Sequence, residues 1–228
     1  MIPAFFSAML RSPRQVGAVA PSGIQLANAM ASQIDPRCET ILELGPGTGA
    51  ITVALVRGEP TKRRLVLVER DARLARALAH RFPSVQILTG DASHLHRVIS
   101  STGIQQFDTV VSSLPLLSMS HFARARVVMR IFAALSPGGK LVQYTYSTVS
   151  PISRRLVELL DMKTERVAVI FKNLPPASVW VYTSNRRSVL ELDGDDRLAG
   201  VDTLIPKAST LVRTESVAPC CSIPSRTT

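Results

Sequence analysis

Three short stretches place glycines and acids where a nucleotide-like ligand can be held. The first, "ILELGPGTGAITVALV" (residues 41–56), runs from an apolar strand pattern through Gly45, Gly47 and Gly49 into a helix pattern. Glycines there let the chain turn sharply and bring backbone N–H groups against a ligand at the positive end of the helix. Glu43, Gly45, Pro46, Gly47, Thr48 and Gly49 are the candidate contacts. The second, "RLVLVER", ends in Glu69 and Arg70, about 20 residues past the loop, where a carboxylate can accept from both hydroxyls of a ribose. The third, "ILTGDAS", brings Asp91 and Ala92 to the end of another strand pattern, where a carboxylate can accept from an adenine amine. The G-x-G-x-G spacing differs from the G-x-G-x-x-G of dinucleotide enzymes, and no Walker lysine follows. A glycine loop and two acids at successive strand ends therefore point to S-adenosylmethionine (SAM) rather than NAD or ATP.

A fourth stretch, "DTVVSSLPLLSMS", starts as a buried strand and is stopped by Pro115, which cannot donate to a sheet ladder. Ligands of open α/β sheets sit outside the carboxyl ends of the strands, so Ser112 to Leu116, with Ser113 and Leu114 foremost, are expected beside the transferred methyl group. Tyr144 and Tyr146, two apart on the next strand, belong on one face of it, either bordering that site or packed between sheet and helix. Aromatic faces suit an increasingly methylated ammonium.

The elements that must position these residues alternate. Strand patterns fall at 39–44, 64–69, 84–88, 107–112 and 139–146, with helical patterns at 24–34, 49–57, 71–81, 92–100 and 119–135. Pro137-Gly138-Gly139 reads as the turn before the fifth strand. A helix near 152–161 and the apolar runs "RVAVIF" and "SVWVY" complete the pattern. Strand alternating with helix means a mostly parallel sheet covered on both faces.

The N-terminal stretch "MIPAFFSAML" puts Phe5, Phe6, Met9 and Leu10 on one helical face, with Arg11 and Arg14 following. Such a helix suits an anionic membrane interface, packing on the protein's own core being the alternative. The expected organisation is thus a helix over 1–14, one domain over 15–182 and a polar tail over 183–228. The net charge is +10. Basic and acidic residues balance at six each beyond Tyr182, so the whole excess lies before it and calls for a polyanion, lipid surface or nucleic acid. Arg124, Arg126 and Arg130 read first as a solvated helix face. No uninterrupted apolar run is long enough to span a bilayer, and no secretory leader is legible, so a cytoplasmic protein is expected. Cys38, Cys220, Cys221 and the histidines lack metal-ligand spacing, and no metal is expected.

"VGAVAPSG", "LELGPGTGAIT", "SSLPLL", "VQYTYS" and "NLPPASVWVY", in that order from about Arg11 to Tyr182, resemble the bacterial phospholipid N-methyltransferases, a family similar to the rRNA adenine dimethyltransferases. The resemblance implies the class I SAM-dependent methyltransferase fold, a Rossmann-like seven-stranded sheet in the order 3-2-1-4-5-7-6. It also implies methylation of phosphatidylethanolamine and its mono- and dimethylated forms towards phosphatidylcholine, at the cytoplasmic membrane surface, with S-adenosylhomocysteine as product. Adenine enzymes place an aromatic residue where Leu116 stands, and losing a base-stacking ring argues against RNA as partner. Leu116 is then expected to present an apolar surface to a lipid. rRNA adenine and ornithine lipid remain the alternative substrates.

Overall fold

The computed structural model describes residues 21–57, 63–171 and 176–185. The expected N-terminal membrane helix and the tail beyond Asn185 lie outside these residues. Helix α1 (Pro21–Ala31) leads into β1 (Thr40–Leu44), α2 (Ala50–Arg57), β2 (Arg64–Glu69), α3 (Ala72–Arg81), β3 (Gln86–Thr89), α4 (Leu95–Ile99) and β4 (Phe107–Ser112). Then come α5 (His121–Ala133), β5 (Leu135–Thr145), α6 (Arg154–Leu159), β6 (Met162–Ile170) and β7 (Ala177–Ser184). The seven strands form one sheet in the order β3-β2-β1-β4-β5-β7-β6. All neighbours are parallel except β5–β7 and β6–β7. This is the class I methyltransferase order, with the crossover between β1 and β4 at its centre.

Period-two alternation divides the apolar side chains between two faces. Leu42, Leu44, Val66, Val68, Val110 and Leu141 pack against α4, α5 and α6 on one side. Ile41, Leu65, Leu67, Val111 and Val142 pack against α1, α2 and α3 on the other. Short side-chain caps fix where helices begin. Asp71 accepts from the Arg73 and Leu74 N–H groups at α3, and Ser120 and Ser153 do the same for α5 and α6. Each cap contributes about 1 kcal/mol. At the amino ends of the strands, Asp108 accepts from the Glu39 and Thr40 N–H groups and from the Thr40 and Ser136 hydroxyls. Burial works to raise its pKa, but those hydrogen bonds hold it below the usual carboxylate value.

Two boundaries differ from the sequence pattern. β5 opens at Leu135, paired with Phe107, and Pro137-Gly138-Gly139 forms an irregularity inside it. Gly138 has φ +73°, and a Cβ on Gly139 would meet the Ser136 and Asp108 carbonyl oxygens at 2.8 and 3.1 Å, so the kink fits only glycine. The long helix expected over 92–100 is instead a 3₁₀ turn (Ala92–His94), α4 and a second 3₁₀ turn (Ser100–Thr102) ended by Gly103 at φ 70°.

Candidate functional site

The glycine loop is held from three directions at the carboxyl ends of β1, β2 and β4. The Gly45 N–H donates to the Val68 carbonyl at 2.9 Å, and the Gly47 N–H to Glu69 Oε2 at 3.0 Å. Glu69 Oε1 accepts from the Asp71 N–H at 2.9 Å, so one carboxylate links the loop to the start of α3. A Cβ on Gly49 would meet Leu78 and Phe82 of the α3 region at 2.9 Å, whereas a Cβ on Gly47, at φ +58°, would meet nothing. Gly49 is therefore the packed side of the loop and Gly47 its open side. Pro46 is buried, while Thr48 is exposed and accepts from Arg81 through its carbonyl at 2.8 Å.

Glu43 stands behind this loop rather than on its surface. It has no solvent exposure, its Oε2 accepts from the Thr52 hydroxyl at 2.7 Å, and its Oε1 has no partner. Burial, opposed by the Thr52 hydroxyl and reinforced by the charge of Glu69, pushes its pKa up to about 8. Glu43, expected as a cofactor contact, is placed behind the loop with one carboxylate oxygen unpartnered. It supports the loop from inside as a neutral acid near pH 7.

Asp91 ends β3 beside the loop. Its Oδ1 accepts from the Ser93 N–H at 2.8 Å, and its Oδ2 lies 3.7 Å from the exposed guanidinium of Arg70. The Ser93 backbone bond, the Ser93 hydroxyl and then Arg70 hold its pKa below the usual carboxylate value against burial. Ala92, next in the chain, is buried.

The Ser-Leu-Pro turn leans on the glycine loop. The Ser113 N–H donates to the Leu44 carbonyl at 2.9 Å, and a Cβ on Gly45 would come within 3.0 Å of Leu114 Cδ2. Ser112, expected as a cofactor contact, is fully buried and accepts from the Leu114 N–H at 3.3 Å, so it locks the turn from within. Leu116 is also not where the motif comparison put it. A 3₁₀ turn over Leu116–Ser118 rotates it into the core at 1% exposure and turns Leu117 outwards at 42%.

Gln143 is a polar group in this site that sequence reasoning passed over. It is fully buried opposite Ser112, and its Nε2 donates to the Leu114 carbonyl at 3.1 Å and to the Tyr144 carbonyl at 2.7 Å. The Leu114 carbonyl also accepts from the Leu116 N–H at 2.8 Å, which fills both lone pairs and removes it from the acceptors open to an amine. The clue in the sequence is an amide inside the apolar run "KLVQYTY".

Tyr144 and Tyr146 share a face as the spacing requires and meet edge to face, with ring centroids 5.5 Å apart. Both pack against the cluster that holds Val111 and Val142 without being closed off from solvent. Burial pushes both phenols up, so both are neutral at physiological pH. Tyr182, on the other face, is fully buried with its hydroxyl 2.7 Å from Ser150 Oγ, and Trp180 packs in the same cluster. On α5, Arg124 donates to the Pro151 and Met119 carbonyls, Arg126 lies 4.6 Å from the centroid of Phe122, and Arg130 is half-buried. Only part of that helix face is the solvated surface its charge implies.

The residues present fit SAM. The open side of Gly47 leaves room beside the amino end of α2, each Glu69 oxygen keeps a lone pair for a ribose hydroxyl, and Asp91 Oδ2 faces outwards for an adenine amine.

This chain is similar to known methyltransferases. A family model described as a methyltransferase domain matches residues 41–139. An ornithine lipid N-methyltransferase from Singulisphaera acidiphila is 26% identical over 182 residues, covering 77% of this chain and 92% of that protein. A mitochondrial dimethyladenosine transferase 1 from Drosophila pseudoobscura is 48% identical over 48 residues, which cover 21% of this chain and 13% of that protein. Among solved structures, the N-methyltransferase NodS from Bradyrhizobium japonicum in complex with S-adenosylhomocysteine superposes with a TM-score of 0.58 at 16% identity, covering 77% of this chain and 93% of that one.

Proposed function

We propose that this SAM-dependent methyltransferase methylates the amine of a membrane amino lipid, with phosphatidylethanolamine and its mono- and dimethylated forms as substrates. The observation that carries the reading is the acceptor turn itself. From Ser113 to Ser120 it offers no aromatic ring, and its Leu114 packs on the glycine loop where a flipped base would need a stacking partner. The length-spanning likeness to an ornithine lipid N-methyltransferase supports lipid amines as a class and favours ornithine lipid as the second reading.

Bound SAM supplies a methyl group on a positively charged sulfur, already activated for in-line displacement. The glycine loop with Glu69 and Asp91 would hold it. The amine must arrive unprotonated, because an ammonium has no lone pair. The neutral Tyr146 phenol and the half-buried Ser113 are oriented polar groups rather than strong bases, so positioning dominates the rate. Tyr144 and Tyr146 form an edge-to-face aromatic pair, and aromatic faces suit a nitrogen gaining methyl groups. Phe5, Phe6, Met9, Leu10, Arg11 and Arg14 are the proposed N-terminal membrane contact.

Incubation with methyl-labelled SAM and, in parallel, phosphatidylethanolamine vesicles, ornithine-lipid vesicles and unmodified rRNA tests the reading. Label in phosphatidylethanolamine is the expected result. Label in ornithine lipid alone would move the substrate within the class, and label in RNA alone would refute the class.

A further inference from the structure

We infer that the surface formed by Leu117, Phe122 and Val149 is a second membrane contact, one that docks the carboxyl edge of β4 and β5 onto an anionic lipid surface. The inference rests on the lipid reading above and concerns residues other than the N-terminal stretch. Leu117, Phe122 and Val149 are 42%, 37% and 68% exposed, three of the six exposed large apolar side chains among the described residues, with Ile24, Leu159 and Phe171 the others. Two segments carry them: the one that follows the Ser-Leu-Pro turn and the one that follows β5. Arg124 ties the segments together by donating to the Met119 carbonyl of one and the Pro151 carbonyl of the other, both at 3.3 Å.

The charge around these side chains identifies the occupant. From Thr109 to Val157 the sequence contains no Asp or Glu, while Arg124, Arg126, Arg154 and Arg155 lie on the two segments and the helices they open. Arg126 rests over the Phe122 ring, a cation on an apolar plate, and Arg166 donates to the Thr148 carbonyl beside Val149. Arg154 is paired with Glu158 at 2.8 Å, so Arg126 and Arg155 are the cations set beside these apolar tips, and apolar tips with arginines beside them match the acyl boundary below anionic headgroups. Leu117 is three residues from Leu114, so the tip lies within about 11 Å of the methyl-transfer turn even along an extended chain. A lipid amine therefore has only a short distance to travel from its headgroup layer to the site.

The test uses the full chain and two variants, Leu117→Glu/Phe122→Glu and Arg126→Glu. Sedimentation with vesicles of phosphatidylethanolamine and phosphatidylglycerol is measured beside methylation of the same vesicles and of a monomeric short-chain phosphatidylethanolamine. Both variants are expected to lose vesicle affinity by about 10-fold or more and vesicle methylation in parallel, with the rate on monomeric lipid within about 3-fold of wild type. Wild-type sedimentation by the variants would overturn the inference, as would an equal loss on monomeric lipid, which would put these side chains in the site. Loss of RNA retention with unchanged sedimentation would also overturn it, reassigning the surface to nucleic acid. If the wild-type enzyme methylates no lipid, the functional reading fails, and sedimentation alone decides the docking surface.

Discussion

Replacing Glu43 with glutamine should stabilise the protein at neutral and alkaline pH and remove a pH dependence. In the unfolded chain this carboxyl titrates at its ordinary 4.5, and in the folded protein burial pushes it up to about 8. Below the unfolded value both states hold the proton, and the group costs the fold nothing. Between the two values the unfolded chain releases the proton and the folded protein keeps it, so stability falls as pH rises. The slope is about 1.4 kcal/mol per pH unit, and it flattens once the folded group itself ionises. From pH 5 to pH 8 the loss attributable to Glu43 is therefore about 4 kcal/mol, a large share of the 5 to 15 kcal/mol typical of a domain. Glutamine keeps an oxygen for the Thr52 hydroxyl and cannot ionise. Urea unfolding at pH 5, 6, 7 and 8 measures the effect, because the difference between wild type and Glu43→Gln cancels titrating groups that do not couple to Glu43, leaving its own titration and its coupling to Glu69. Curves that stay parallel across this range would refute the placement of Glu43 as a buried neutral acid.

Glu69→Ala should weaken SAM binding by at least about 10-fold in calorimetry, since it removes the ribose acceptor and the anchor of the Gly47 N–H together. Wild-type affinity would contradict both roles. Gly49→Ala should lower stability by about 2 kcal/mol or more, because φ +81° disfavours a side chain and the new Cβ would press on Leu78 and Phe82. A denaturation midpoint like wild type would contradict the packed side of the loop. Gln143→Leu should lower kcat with little change in SAM affinity, at a stability cost of about 1 to 3 kcal/mol for the two amide hydrogen bonds lost. Recovery of kcat in Gln143→Asn is not expected, because the shorter amide cannot span both carbonyls. An unchanged kcat in the leucine variant would remove Gln143 from the site.

The alternation of strands and helices and the cofactor class were legible because each rests on a local signal, such as a glycine loop before a helix or an acid closing an apolar run, while the strand order followed from the family resemblance. What was not legible depends on how the chain turns after such a signal. Pro115 marks the end of β4, but only the 3₁₀ turn decides that Leu116 goes inwards and Leu117 outwards. Glu43 and Ser112 sit at the motif positions of ligand contacts, yet strand alternation and burial turn them behind the loop and the turn. Gln143 shows the opposite case. Its amide is unremarkable as a letter and gains meaning only because β5 pairs with β4 in the register that sets it opposite Ser112.

The strand order also separates two traffic routes along one edge of the sheet. Asp91 closes β3, three strand steps from β4, or about 14 Å at ordinary spacing. The expected adenine acceptor and the Ser-Leu-Pro turn are therefore side by side rather than stacked. If β4 and β5 dock on a bilayer as proposed, cofactor would exchange from the β2–β3 side without undocking, and the ratio of partly to fully methylated lipid would then report residence time.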